Sequence, residues 1–312
     1  MSNVAAGTVW NLPNYSGELF TADMVNTPFI SMIGGLNGGQ VTGNFEFSTS
    51  SEFAHEALSQ KSITETDSLT APTAISYVRD QNKNVVQPFH ESVSISYIRM
   101  SNQGRLSGLN TAKSSNNVIS EKDFQIAVHL QSLARQVEWH VLQGTYAIAT
   151  NSGEPNQTRG MIEAAGSTTA AGATDLSKAL LDGLLLKMFN AGSIAQNLVL
   201  FCNGFQRQAI DDIYGYAPED RFVGGVSVSK IITSFGNINI APAHRLMPAA
   251  TILIADMSQV SLVFQPTPGK GNLFYEELSK TGAAETGQLF GQIGLNHGAT
   301  FSHGTITGLT TS

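Results

Sequence analysis

Residues 120–143 read SEKDFQIAVHLQSLARQVEWHVLQ, and this stretch decides the fold. Ile126, Leu130, Leu133, Val137 and Val141 recur at intervals of three and four, the spacing that lays an apolar stripe along an α-helix. Ser120 followed by Asp123 has the form of a capping box, and Gly144 stands just past the end as a stop. At ~1.5 Å per residue the helix is ~36 Å long, which predicts a spine on which other elements pack. Phe124 and Trp139 are expected to extend its apolar face.

Upstream the period changes to two. Val41, Phe45 and Phe47 share one parity, and Val93, Ile95 and Tyr97 alternate with Ser92, Ser94 and Ser96, as in half-exposed strands. Between them Asp80-Gln-Asn-Lys-Asn84 predicts a turn joining Tyr77-Val78 to Val85-Val86. A hairpin with ~10 to 15 residues per side would reach ~30 to 50 Å. Few apolar residues support its tip, so deleting residues 80–84 is expected to leave a folded monomer that assembles poorly. Residues 1–40 are rich in Gly and Asn and are broken by Pro13 and Pro28, with apolar clusters at Tyr15, Leu19, Phe20, Phe29 and Ile33. They predict an ordered arm with at most a short helix, held by something outside its own fold.

Downstream, the Gly-, Asn- and Pro-bearing segment 151–173 marks the expected domain boundary. Residues 175–190 read as a helix stopped by Gly192, residues 197–202 as a strand, and Asn203 with Gln206 as the cap of a helix reaching about Tyr214. Strands follow at 226–233, 238–241, 251–255 and 260–264, with Gly236-Asn237 as a turn, and residues 273–307 are again strand-like. The order predicts an α+β fold in which a central α/β portion is inserted between two β-rich flanks.

Composition narrows the function. The chain has 312 residues, of which 13% are charged, about half of the ~25% usual in soluble domains. Ser, Thr, Asn and Gln supply 95 residues instead. With 41% hydrophobic residues and a mean hydropathy of -0.02, the chain fits neither a disordered nor a membrane class. A surface poor in ions suits close contact, which points to assembly and predicts that the low charge is concentrated at subunit contacts. Net charge is -7 and the 17 basic residues form no run, against a nucleic-acid grip. No Lys or Arg precedes Lys61, while Glu18, Asp23, Glu46, Glu52 and Glu56 are acidic, so a targeting peptide with a basic start is not expected. The longest apolar runs are about five residues against the ~20 that cross a bilayer. Cys202 is the one cysteine, which excludes an intrachain disulfide and fits synthesis in a reducing cytosol; no basic neighbour activates it, so it reads as a core residue.

Catalytic motifs are few. Ser227-Val-Ser-Lys230 matches S-x-x-K and Lys280-Thr-Gly282 matches K-T-G, so a serine hydrolase using Ser227 and Lys230 is the enzymatic alternative. Its context is wrong, because Ser227 lies in a strand-like segment where the nucleophile should open a helix. The seven histidines include no pair at i, i+4, and His129 and His140 could share a helix face but lack a cysteine partner for zinc. Asp211-Asp212, Glu219-Asp220 and Glu276-Glu277 are adjacent pairs whose side chains diverge. Gly34-Gly35 and Gly38-Gly39 lack the strand and helix of a phosphate loop. No catalytic residue, cofactor or metal site is expected.

Six segments in order carry a resemblance: Asn11-Leu-Pro-Asn-Tyr-Ser-Gly-Glu-Leu-Phe20, Thr27-Pro-Phe-Ile-Ser-Met-Ile-Gly-Gly35, Leu133-Ala-Arg-Gln-Val-Glu138, Arg159-Gly-Met161, Leu278-Ser-Lys-Thr-Gly282 and His303-Gly-Thr-Ile-Thr-Gly308. With them the chain resembles major capsid proteins of tailed bacteriophages of the Hong-Kong-97-type fold. The resemblance implies an N-terminal arm at 1–40, an extended hairpin loop at 41–110, a peripheral domain at 111–174 built on the 120–143 spine, an axial domain at 175–258 and a C-terminal β return to the peripheral domain at 259–312.

It also implies a structural protein of the icosahedral head shell that encloses double-stranded DNA, assembled in the bacterial host cytoplasm and resident in the virion. Subunits would form hexamers and pentamers with arm and loop over their neighbours. Tyr15, Phe20, Phe29, Phe45, Phe47, Arg79, Lys83 and Tyr97 are the expected subunit contacts, Arg79 and Lys83 as ion-pairing groups near the hairpin tip. Implied partners are a separate scaffolding protein, a portal protein, a decoration or cement protein and non-specifically packaged DNA on a weakly charged inner face, with no membrane. The start at Met1 is read as evidence against N-terminal maturation cleavage. A bacterial nanocompartment shell of the same fold is the structural alternative.

Overall fold

The computed structural model of the chain describes residues 26–101, 121–193, 196–214, 220–223, 226–280 and 282–311. In chain order the first elements are α1 (Pro28–Met32), β1 (Gln40–Val41), β2 (Glu46–Phe53), α2 (Glu65–Ser68), β3 (Arg79–Val85), β4 (Gln87–Ser96) and α3 (Tyr97–Ser101). The middle comprises α4 (Glu121–Gln143), α5 (Met161–Ala164), β5 (Ser167–Thr174), α6 (Lys178–Asn190), β6 (Leu198–Cys202) and α7 (Gly204–Tyr214). The remainder is β7 (Asp220–Val223), β8 (Val226–Thr233), β9 (Gly236–Pro242), β10 (Ile252–Asp256), β11 (Ser261–Phe264), β12 (Leu273–Glu277), β13 (Ala284–Asn296) and β14 (Gly304–Leu309), with a 3-10 turn at Thr300–Ser302.

A seven-stranded sheet runs in the order β5-β14-β10-β6-β9-β8-β7. Every residue of β6 and of β10 is buried, as expected for central strands covered on both faces. Alternation sends Leu198, Leu200 and Cys202 to one face, where they meet Leu181, Leu184, Leu185 and Met188 of α6. It sends Val199 and Phe201 to the other face, where they join Leu133, Val137, Val141 and Leu142 of α4. The sheet is therefore a middle layer between α6 and the spine. Ser177 caps α6 by accepting from Leu180 N, and Asn203 Oδ1 caps α7 by accepting from Gln206 N at 2.9 Å.

The second sheet is built on β13, which pairs β4 along one edge and β12 and then β11 along the other. Phe264, Ile293 and Leu295 bury their side chains against α4, so the spine is shared by both sheets. The loop after α4 is pinned where Gly160 N donates to Gly144 O at 2.8 Å. A Cβ on Gly160 would stand 2.5 Å from Gly144 N, so only glycine fits that crossing.

Several expectations need correction. Residues 80–84 form β3 and not a turn, because partners satisfy their polar side chains: Asn82 donates to Glu52 and Ser50, Lys83 to Glu46, and Asn84 to Leu295 O and Arg159 O. Residues 28–32 are held by the chain's own core, where Phe29 and Ile30 are buried. Residues 167–174 are a strand running parallel to β14, not part of a boundary, and β14 lies in the seven-stranded sheet instead of returning to the other one. Tyr97 opens α3 instead of extending β4, and Leu130 and Trp139 of the spine are exposed. Ser120, Tyr15 and Phe20 lie outside the described residues.

Candidate assembly surface

β2 and β3 form an antiparallel ladder from Glu46 opposite Val85 to Phe53 opposite Arg79, with a register shift between Ser48 and Ser50. Polar side chains fasten its base to the body. Asn84 Oδ1 accepts from Arg159 N at 2.7 Å while its amide donates to Leu295 O at 2.7 Å. Glu46 takes Lys83 at 3.3 Å and accepts from the Tyr146 hydroxyl at 3.3 Å, and Arg159 lies 4.7 Å over the Tyr146 ring. A Cβ at Gly294 would come within 2.9 Å of Phe47 Cε1, so glycine there admits the half-buried Phe47 ring.

Two buried histidines back this base. His297 Nδ1–H donates to Gly298 O at 2.9 Å, which leaves Nε2 to accept from Thr49 Oγ1 at 3.3 Å. His303 Nδ1 accepts from Asp256 N at 3.2 Å, so its Nε2–H donates to His297 O. Burial pushes the His297 pKa down to about 4 and lowers that of His303, keeping both rings neutral. Glu52 Oε1 accepts from Asn82 Nδ2 at 2.9 Å, Ser50 Oγ at 3.1 Å and Thr300 N at 3.2 Å.

Beyond Phe53 the support ends. Residues 54–78 are exposed throughout, and Leu58, Ile63, Leu69, Ile75 and Val78 stand 60% or more open. The rings of Phe53, His55 and Tyr77 bridge the two sides with centroids 5.1 and 5.8 Å apart. The tip carries one helical turn, α2, closed by a capping box: Thr64 Oγ1 accepts from Asp67 N and Asp67 Oδ2 accepts from Thr64 N. The hydrogen bonds from Thr64 hold the Asp67 carboxyl below its ordinary pKa. A tip that is locally ordered yet leaves its large apolar side chains in water is suited to dock on another surface, since burying each such side chain is worth ~1.5 to 3 kcal/mol.

The expected contact residues divide. Phe45 is 58% exposed at the hairpin base, Tyr97 is exposed under Lys280 at 5.5 Å, and Arg79 is exposed in the last ladder pair. Lys83 is close to the base and paired within the chain, not at the tip. Phe29 is fully buried, its ring 5.1 Å from Phe201, and serves the core. The reading from sequence missed the tip apolar residues because they are spaced irregularly, at three to six residues, without period, among Ser, Thr and Ala.

The catalytic candidates read from sequence divide as follows. Ser227 and Lys230 both lie within β8, a strand, where the S-x-x-K pattern requires the serine to open a helix. Cys202 is buried and burial pushes its thiol up to about 12. Glu276 and Glu277 do diverge, to Lys270 and Lys122 respectively. Among the described residues no group of three or more His, Cys, Asp or Glu could hold a metal ion, and no helix is long and apolar enough to cross a membrane.

The profile of the family described as SU10 major capsid protein matches residues 2–310. No curated protein matches the chain. Among solved structures, the capsid asymmetric unit of cyanophage A-1(L) is similar with a TM-score of 0.66 at 13% identity, covering 95% of this chain and 96% of that one. The holo-SrpI encapsulin complex from Synechococcus elongatus is similar with a TM-score of 0.61 at 13% identity, covering 100% and 97%. The capsid of Myoviridae phage XM1 gives a TM-score of 0.57 at 12% identity, covering 96% and 97%. The fold is thus the Hong-Kong-97-type fold of phage capsids and encapsulins.

Proposed function

Since the chain belongs to the SU10 major capsid protein family and is a structural protein of a homo-oligomeric capsid shell, we propose that the hairpin tip, residues 54–78, is the surface through which each subunit holds its neighbour. The observation that carries this reading is the contrast along one hairpin. Residues 46–53 and 79–85 are tied to the body, and the following 25 residues expose their apolar side chains to solvent. In a shell those side chains are covered by the next copy, and the contact is multiplied over many subunits.

The finer reading is an icosahedral head of hexamers and pentamers enclosing double-stranded DNA, built without catalysis in the host cytoplasm. A separate scaffolding protein, a portal and a decoration protein would serve as partners. The arm at 1–40 and Tyr97 join the tip as contacts, whereas Phe29, Phe47 and Lys83 act within the subunit. A nanocompartment is the second reading, favoured by the encapsulin likeness over the whole chain; nuclease-protected DNA in purified particles supports the phage head, and enclosed protein cargo the nanocompartment.

Replacing residues 57–75 by a short Gly-Ser turn tests the hairpin. The subunit should unfold at an unchanged urea midpoint, because the deleted side chains are exposed and bond to no described residue outside the hairpin, and it should not close shells. Normal shells from this variant would overturn the role. Deleting residues 80–84 is no longer a suitable test, since it removes the strand that fastens the hairpin.

A further inference from the structure

We propose that Glu52 is the positioning residue of the extended hairpin: its carboxylate latches the ladder to the turn Thr300–Ser302 and thereby sets the angle at which residues 54–78 leave the body. The inference rests on the reading of the tip as a subunit contact. β2 and β3 form a two-stranded sheet of their own, joined by no ladder to the larger sheets, so backbone pairing alone does not fix their tilt. The backbone holds only the hairpin base, where β3 continues through Val86 into β4, and side-chain anchors succeed one another outward from it: Asn84 and Glu46 at the base, Thr49 next, Glu52 last.

Glu52 is the outermost of these described anchors, and it joins both strands of the hairpin to the body. Its Oε1 receives Ser50 from its own strand, Asn82 from the opposite strand, and the amide and hydroxyl of Thr300 from the body at 3.2 and 3.5 Å. The receiving turn is itself rigidly held. Gly166 N donates to Thr300 O at 2.8 Å, Ala299 N donates to Gln259 Oε1 at 3.1 Å, and Gln259 Nε2 donates to Ser302 Oγ at 3.0 Å. The register shift lies beside the latch and leaves Thr49 without a ladder partner, free to turn its hydroxyl toward His297. A bulge bends its strand, so the point of bending and the point of anchoring coincide. A tilt of ~10° at Glu52 would displace a point ~30 Å along the arm by ~5 Å, enough to misalign a contact with a neighbour.

Glu52→Gln keeps the side-chain shape and removes the charge on which the donors converge; Thr49→Val independently removes the neighbouring hydroxyl. Hydrogen exchange on unassembled subunits should accelerate at residues 46–53 and 79–85 by about tenfold to hundredfold in Glu52→Gln, as loss of a hydrogen bond to a charged group predicts. It should accelerate less in Thr49→Val, with β6 and β10 unchanged in both variants. Particles from Glu52→Gln should differ in diameter or curvature from wild-type particles. Unchanged exchange in the hairpin overturns the latch, as does acceleration spread equally over β6 and β10. Loosened hairpins that still build shells of normal geometry uphold the latch and overturn the assembly role of the tip, so the two failures are distinguishable.

Discussion

Raising the pH from 6.5 to 8 should destabilise the unassembled subunit, and the cause is Glu138 on the spine. Its side chain is fully buried, with Oε1 accepting from Phe29 N at 3.2 Å and Oε2 from Ile30 N at 3.3 Å. Burial pushes its pKa up from 4.5 to about 8, with the two amides pulling the other way. The unfolded chain releases this proton near 4.5 and the folded chain holds it to about 8, so stability is fully present below 4.5 and falls by ~1.4 kcal/mol per pH unit up to the folded value.

His297 has the opposite sign. Its folded pKa lies near 4 against 6.5, so its contribution is present above 6.5 and lost as pH falls toward 4. His303 shifts in the same direction. The two slopes oppose each other between 4.5 and 6.5, and above 6.5 the Glu138 slope is the one of these that remains. Over the 1.5 units from 6.5 to 8 the expected loss is ~2 kcal/mol, readable as a falling urea midpoint. Glu138→Gln titrates nothing and should give a flat profile over the same interval. A flat wild-type profile, or a Glu138→Gln profile as steep as wild type, would refute the reasoning.

Two further outcomes follow from packing. Gly160→Ala forces a Cβ against Gly144 N and His140 O, backbone atoms that cannot rotate away, and should cost ~1 to 3 kcal/mol or more by thermal unfolding. Cys202 should resist a thiol reagent in native subunits and react fully in denaturant, since it is buried and its thiolate is disfavoured; rapid native labelling would contradict its place in the core.

Legibility differed by element. β6 and β8 and the spine were readable within one or two residues because an unbroken apolar run or a strict period leaves one arrangement that buries the side chains. β3 and β5 were not. Arg79–Val85 is polar and looks like a turn, and partners distant in sequence, Glu46, Ser50, Glu52 and the backbone of Arg159 and Leu295, satisfy it as a strand. Ser167–Thr174 has small residues with no period, and it is a strand because β14 lies beside it. The scarcity of charge did not mark the tip, since Glu56, Lys61, Glu65 and Asp67 all lie there.

What the sequence by itself determined is the set of elements that carry their own periodicity, the α+β class and the resemblance to capsid proteins. The tertiary structure alone decided which apolar residues are core and which are offered outward. Phe29 and Leu58 are alike in being large and apolar, yet one is fully buried and the other fully exposed. The physical reason is that burial is a property of long-range packing: Phe29 meets the spine through Glu138, 109 residues away, while no described residue covers Leu58.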